Sequence, residues 1–301
     1  MPDPYFLALE LLIAILFGLA MRHAWRRGPA VVWQLLAGVL FGLLLEWATI
    51  QQLHAYAYGQ FFLMLGEVPV MVGVAWGTII YAVRLFSDSS TLVEGLRPIL
   101  DGLLALNIDM AMDAVAIRLG MWDWGMGMQA EYFGVPYANF WAWFWVVFSF
   151  SFGLRVLSRS NDRLNRLNRW SSPLSRWVAP PGAILIGMVG VLGSNALISD
   201  LLETAWYQTT IAIVLGSALL LMVWLKPRFY MEPVDPLVFW VPFGFHAYFL
   251  TAGLISGAIL DPPFLLLVSA VMMATALYLH RGSWRRATGR LNLSYHKGRE
   301  G

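Results

Sequence analysis

The sequence predicts an all-α fold, a polytopic transmembrane bundle of about nine spans within a range of roughly eight to ten, with the N terminus outside and the C terminus inside. Three observations predict it. Of 301 residues, 59% are apolar or aromatic and 13% charged, a balance outside that of soluble domains. The apolar residues gather into stretches of roughly 17 to 25, each long enough for a hydrocarbon core of about 30 Å. The basic residues fall almost wholly into alternate loops.

The first stretch, about 5 to 21, has an acidic rather than a basic flank and no small-residue cleavage site after it, so it reads as a retained span and not a signal peptide. The second, about 31 to 52, contains Gly38-x-x-x-Gly42, a spacing that favours close helix packing. The third runs from about 68 to 86, and the fourth, about 97 to 120, is apolar but carries acids. The fifth, about 140 to 157, is dense in aromatics. The sixth, about 179 to 199, holds Gly187, Gly190 and Gly193, and the seventh covers about 205 to 225. The eighth, about 237 to 260, has Gly253-x-x-x-Gly257, and the ninth covers about 264 to 280. Residues 1–281 thus form one transmembrane domain and residues 282–301 a basic cytoplasmic tail.

Nineteen of the twenty Lys and Arg residues fall on one side of this arrangement, and only Arg118 falls opposite. Short loops rich in these residues stay in the cytoplasm, which sets the orientation and a multi-pass location in the cell (inner) membrane. Arg-rich inner loops beside apolar spans serve topology and the anionic leaflet, so the lipid bilayer is the expected partner and nucleic acid is not. The run from Arg159 to Trp177 reads as an interfacial amphipathic segment.

With no cysteine there is no disulfide framework, thiolate nucleophile, iron–sulfur cluster or Cys-ligated zinc. His23, His54, His246, His280 and His296 are each isolated, without the clustered spacing of a membrane di-iron oxygenase. His246 is expected to bond a neighbouring helix rather than relay protons. The string GMGMQA lacks the strand and helix that a dinucleotide fingerprint requires.

The most informative feature is the pair Asp109 and Asp113, one helical turn apart on the fourth span. An acid in hydrocarbon costs roughly 2.5 to 3.5 kcal/mol on insertion scales, so two on one face point to an interior site. Glu46, Glu67, Asn139, Asn195 and Asp200 fall at the same outer depth. Interhelical hydrogen-bond glue is the bland alternative, and the simpler one for Asn195 alone. Asp101, near the inner end of the span, is expected to be an interfacial helix-terminus acid. Two carboxylates facing each other in an apolar cavity cannot both ionise cheaply, so one keeps a proton and acts as acid while its neighbour acts as base. Trp122, Trp124, Tyr132, Phe133, Tyr137, Phe140, Trp141 and Trp143 follow closely, and their ring faces can stabilise a carbocation or form an interfacial belt. Gly125, Gly127, Gly134 and Pro136 suit a tight cap over the site.

The run NIDMAMDAVAIRLGMWDWGMGMQAEYFGVPYANFWAW resembles the signature of the integral-membrane carotenoid hydratases, the family of carotene 1',2'-hydratase and bisanhydrobacterioruberin hydratase. The matching positions are Asp109, Asp113, Trp122, Trp124, Tyr132, Phe133, Gly134, Val135, Pro136, Asn139 and Phe140. Upstream, Glu46, Tyr56, Tyr58, Gly66, Pro69, Trp76 and Tyr81 stand in the family's order. Ala114 replaces the Pro that commonly follows the second Asp, and Ala142 replaces the Gly of Gly-Trp.

The resemblance implies a cofactor-independent enzyme that adds water across the terminal double bond of an acyclic carotenoid, lycopene-like or a C50 precursor. It implies Asp109, Asp113, Glu46 and Asn139 as the catalytic set, and Trp122, Trp124, Tyr132, Phe133, Tyr137, Phe140, Trp76 and Glu67 around the substrate. No metal is implied, and other carotenoid-pathway enzymes are possible partners. Two other readings stand beside it. Asn107-x-Asp109-x-x-x-Asp113 half-resembles the magnesium motif of a nine-span polyprenyl transferase, with Asp200 to Glu203 as a thin second motif. A non-catalytic carotenoid-binding membrane subunit would also share the fold. Transport is disfavoured, because no inverted repeat or pair of broken helices is evident.

Overall fold

The computed structural model describes residues 3–53, 56–167, 174–201, 206–229 and 235–283. Among them the chain forms nine α-helices: α1 Pro4–Arg27, α2 Pro29–Leu53, α3 Val70–Asp88, α4 Arg97–Arg118, α5 Tyr137–Leu167, α6 Leu174–Leu201, α7 Trp206–Leu225, α8 Leu237–Ser256 and α9 Pro263–Leu279. Each coincides with one of the nine apolar stretches. Seven are long and apolar enough to cross a membrane, and the chain is an all-α, polytopic membrane protein. The two short of that measure are α4, which carries Asp101, Asp109 and Asp113, and α9, which has 17 residues. The basic run 159–167 continues α5, while 168–173, His54 and the tail from 284 onward lie outside the described residues.

The helix that carries three aspartates is deeply enclosed. α4 packs against α3, α5, α8 and α9, and most of its residues are buried. That placement answers the cost of its acids, since a carboxyl group at this depth survives only where protein replaces lipid. Around it, α6 and α7 turn apolar side chains outward: Val189 is 72% and Leu220 69% exposed. Such a surface suits hydrocarbon and would aggregate in water.

Glycines set the close approaches. A Cβ on Gly42 would stand 2.5 Å from the Cβ of Trp76, and one on Gly38 would stand 3.1 Å from the Cα of Gly77. The α2 and α3 backbones therefore nearly touch, and Trp76 sits beside the next turn of α2, which carries Glu46. On the neighbouring pair, Gly187 receives the Phe41 ring and Gly190 receives Ser149. The Gly253-x-x-x-Gly257 step divides its roles: Gly253 packs against Ile259, while Gly257, at φ +77°, ends α8 in the left-handed conformation.

Asp101 corrects a sequence expectation. It is wholly buried rather than interfacial, accepting from Arg155 Nη1 at 2.6 Å and from Ser151 Oγ at 2.5 Å. Arg155 also donates to Ser87 at 2.8 Å and Asp88 at 3.0 Å, tying α3, α4 and α5 together at the end away from Asp113. The sequence shows both charges but not that α5 brings Arg155 opposite Asp101. His246 behaves as expected: its Nε2 donates to Asn107 Oδ1 at 3.0 Å, joining α8 to α4.

The two loops at the other end are sewn together by short strands. Strand β1, Ala57–Tyr58, pairs antiparallel with β4, Trp122–Asp123, setting Tyr58 opposite Trp122. Strands β2, Met64–Leu65, and β3, Val68–Pro69, form a hairpin whose two-residue turn is Gly66 (φ +62°) and Glu67. Glu10 of α1, itself buried, accepts from the backbone N–H groups of Phe62 and Leu63 at 3.1 and 3.3 Å and anchors this loop. Arg118, alone among the basic residues at this end, closes the last turn of α4. It donates to Ala114 O at 2.8 Å and Phe133 O at 2.7 Å, and so holds the second loop down.

Two stability predictions follow from these contacts. Gly42→Leu should force α2 from α3 and cost about 1 to 3 kcal/mol, read as a lower thermal unfolding midpoint in detergent. Arg155→Met leaves Asp101 buried without its cation and should cost about 3 to 5 kcal/mol by the same measurement, while Arg155→Lys should recover part of the loss.

Candidate active site

Glu46 lies on α2 within one turn of Trp76, and the extended segment after α2 brings two further donors to it. Residues two apart in an extended chain face the same way, so Tyr56 and Tyr58 both reach the same carboxylate. Tyr56 and Tyr58 hydroxyls donate to Oε2, the latter at 2.7 Å, and Trp76 Nε1 donates to Oε1 at 2.7 Å. Burial, and next the Glu46 carboxylate, hold both phenols well above their usual range, so they remain donors. Three donors and no acceptor are the surroundings of a carboxylate acting as a hydrogen-bond acceptor.

Across from it lies the acid pair. Asn139, in the first turn of α5, directs its amide at both aspartates: Nδ2 is 2.6 Å from Asp113 Oδ2 and 3.2 and 3.3 Å from the two oxygens of Asp109. Both aspartates are buried, Asp109 completely. The sequence expectation that they share one helix face is met, and α5 rather than lipid covers that face.

Between Glu46 and Asp113 opens a cavity of about 520 Å³, within the range of small-molecule sites. Its walls are mostly apolar, with Leu45, Ile79, Trp143 and Val146 among them; Glu46, Asp113, Asn139, Tyr56 and Tyr58 are polar points, and Thr49, Glu131, Asn195, Ser199 and Tyr207 also line it. Asp113 lines this space and Asp109 stands behind it.

Of the other residues singled out by sequence, Trp76, Trp122, Trp124 and Asn195 line the cavity. Trp143 does too, packed at a tilt against Trp76 with ring centres 4.2 Å apart. Tyr132, Phe133, Tyr137 and Phe140 do not. Tyr132 donates to Met110 O at 2.9 Å and packs edgewise on Phe133 and Phe140, so this group props the loop from outside the wall. Burial, then the two aspartates, raise the Tyr132 phenol, which stays a donor. Tyr137 receives Glu131 at its backbone N–H. Trp141 turns the other way, into a cluster with Ile198, Tyr207 and Ile211, donating to Ser194 O at 3.1 Å.

Glu67 is a correction. It is exposed in the hairpin turn, accepts from Gln51 at 2.7 Å and lies outside the cavity, because the turn at Gly66 carries it away from Glu46. Asp200 is likewise exposed, and Glu203 falls outside the described residues. Asn107 points away from the acid pair, donating to Met272 O at 3.2 Å toward α9, so the half-motif with Asp109 and Asp113 does not converge on one point.

Sequence reasoning passed over Tyr56 and Tyr58 as ligands of Glu46, although their two-residue spacing was visible. It missed Glu10 and the loop-holding role of Arg118, which depend on contacts across 52 and 15 positions.

Neither curated proteins nor solved structures yielded a match to the chain. A family comparison did: residues 6–223, which contain every polar lining residue named above, match the carotenoid biosynthesis protein family. The chain belongs to that family, and its work lies in carotenoid biosynthesis within a membrane.

Proposed function

We propose that the protein is a carotenoid hydratase, adding water to the terminal trisubstituted double bond of an acyclic carotenoid without a redox cofactor. The observation that carries this reading is the placement of a buried diacid on one wall of an apolar, tryptophan-lined cavity and a carboxylate met by three donors on another. Protonation of an alkene needs a strong enough acid held away from water, a means of tolerating a cation, and a base to complete water addition.

Asp113, the aspartate that reaches the cavity, delivers its proton to C2 of the terminal alkene. Asp109 supports it from behind through the shared Asn139 amide. The π electrons form the new C–H bond and leave a tertiary cation at C1, faced by the rings of Trp76, Trp122, Trp124 and Trp143. Water adds through oxygen to C1, and Glu46 takes the proton the water loses. That proton returns to Asp113 across the cavity, so the net change is addition of one water with no change of redox state.

The size of the cavity supports a substrate that enters by one end. Its lining reaches Ile79 on α3 and Val146 on α5 but nothing further down either helix, room for the end group of a long polyene while the remainder extends into lipid. The basic loops orient this half of the bundle outward, which would put the reacting end at the outer leaflet of the inner membrane.

Asp113→Asn should lower conversion of lycopene to its hydroxylated product by about 10³-fold, within the usual span of general acid catalysis, as measured by chromatography and a mass gain of 18 Da per water. Conversion at the unaltered rate would overturn the assignment of the acid. Glu46→Gln keeps the shape but loses the base, and should cost about 10²-fold in turnover with little change in the concentration of lycopene needed for half-saturation.

A further inference from the structure

Among the polar groups of the cavity, Trp124 is set apart. Its ring lines the space and packs on Tyr56 at 4.5 Å between centroids, edge toward face, and Tyr56 in turn donates to Glu46. The Trp76 indole N–H is satisfied by Glu46. The Trp124 Nε1–H is buried with no acceptor among the described residues. A buried donor left without a partner is destabilising, a cost tolerated where a ligand supplies the missing oxygen. The tryptophan is held in place independently of its N–H, by the β1–β4 pairing beside it and by Tyr56 beneath it.

Glu46 has a matching opening. A carboxylate offers about four acceptor positions, and the two tyrosines and Trp76 occupy three: two on Oε2 and one on Oε1. A free acceptor position thus belongs to the same aromatic cluster as an unpaired donor. Water is the small molecule that answers both, accepting from one and donating to the other.

We infer that Trp124 Nε1 and Glu46 Oε1 together hold the water that is added to the substrate, making Trp124 a water-holding residue rather than only a ring facing the cation. This rests on the hydratase reading above. In the addition step a water lone pair forms the C1–O bond, the indole N–H releases its acceptor as the oxygen loses electron density, and the departing proton goes to Glu46. A cation not captured in this way returns to an alkene by losing a proton, so the position of the water decides the partition between alcohol and alkene.

The partition can be read in D2O. Protonation followed by capture gives deuterated alcohol, whereas protonation without capture returns alkene carrying deuterium. With lycopene in proteoliposomes, the ratio of alcohol to deuterated alkene should fall about tenfold in Trp124→Phe, which keeps a ring on Tyr56 but no N–H. Trp124→His, which keeps a ring N–H, should retain a ratio several-fold above that of Trp124→Leu, a comparison that stands even where the Phe variant fails to fold. An unchanged ratio in Trp124→Phe, or equal ratios in the His and Leu variants, overturns the assignment even where overall turnover drops, because a purely structural role slows both branches together. Wild-type protein that yields neither alcohol nor deuterated alkene would instead remove the hydratase reading, and the water site with it.

Discussion

Carboxyl groups placed inside a membrane protein must be covered by protein and met by donors, and much of this architecture meets that requirement. α4 brings three aspartates into the bundle, and each finds partners on α5: Asp101 meets Arg155 and Ser151, while Asp109 and Asp113 meet Asn139. The same helix pair therefore solves two different electrostatic problems. At one end a cation neutralises the acid; at the other only a neutral amide is present. An arginine beside Asp113 would stabilise its anion and remove the capacity to give up a proton to an alkene. The contrast separates the ion-paired acid from the two proposed as reactive more sharply than burial does, since all three are enclosed.

Packing and chemistry meet at Gly42. Its missing side chain allows the β-carbon of Trp76 to lie against α2, and this approach delivers the Trp76 N–H to Glu46 one turn later. The phenols of Tyr56 and Tyr58 arrive from the opposite direction, fixed by the strand pairing that joins two distant loops. Glu46 is thus positioned by a helix contact and a loop contact that do not depend on one another. Such a doubly supported carboxylate resists the displacement that a passing cation would otherwise cause.

The helices were legible because hydrocarbon imposes a simple length and composition rule, and nine apolar stretches became nine helices with ends shifted by a few residues. The acid pair was legible because four-residue spacing fixes a shared face whatever the neighbours are. Asn139 was visible as a polar residue at the right depth and as a position of the family motif, but not as a bridge. Its bridge between the aspartates required the approach of α5 to α4. Glu67 misled for a complementary reason: depth along the sequence placed it beside Glu46, but the hairpin turn at Gly66 reversed the chain before it could enter the bundle. Among the aromatics, composition could not distinguish wall from buttress. Trp122 and Trp124 are carried inward by β4 and the chain that follows it, whereas Tyr132, Phe133 and Phe140 pack on each other behind it.

The apolar walls bear on the outcome of the chemistry as much as on its rate. A tertiary cation in bulk water is captured at once by any of many molecules, but in a closed hydrocarbon site it meets only what the protein has placed there. Excluding water keeps the carboxyl protonated and at the same time withholds the nucleophile, so the proposed hydratase would have to admit a limited number of waters at defined points. Polar lining grouped around Glu46, Asp113 and Asn139, with a second group of Glu131, Asn195, Ser199 and Tyr207 and apolar walls between, matches that demand. On the proposed reading, a wetter cavity would ionise the acid pair and leave no proton to give, and a drier one would release isomerised alkene. Hydration at a carbon–carbon double bond without a metal thus calls for sparse polarity within a large apolar surface, the composition that α2 to α6 and their connecting loops supply.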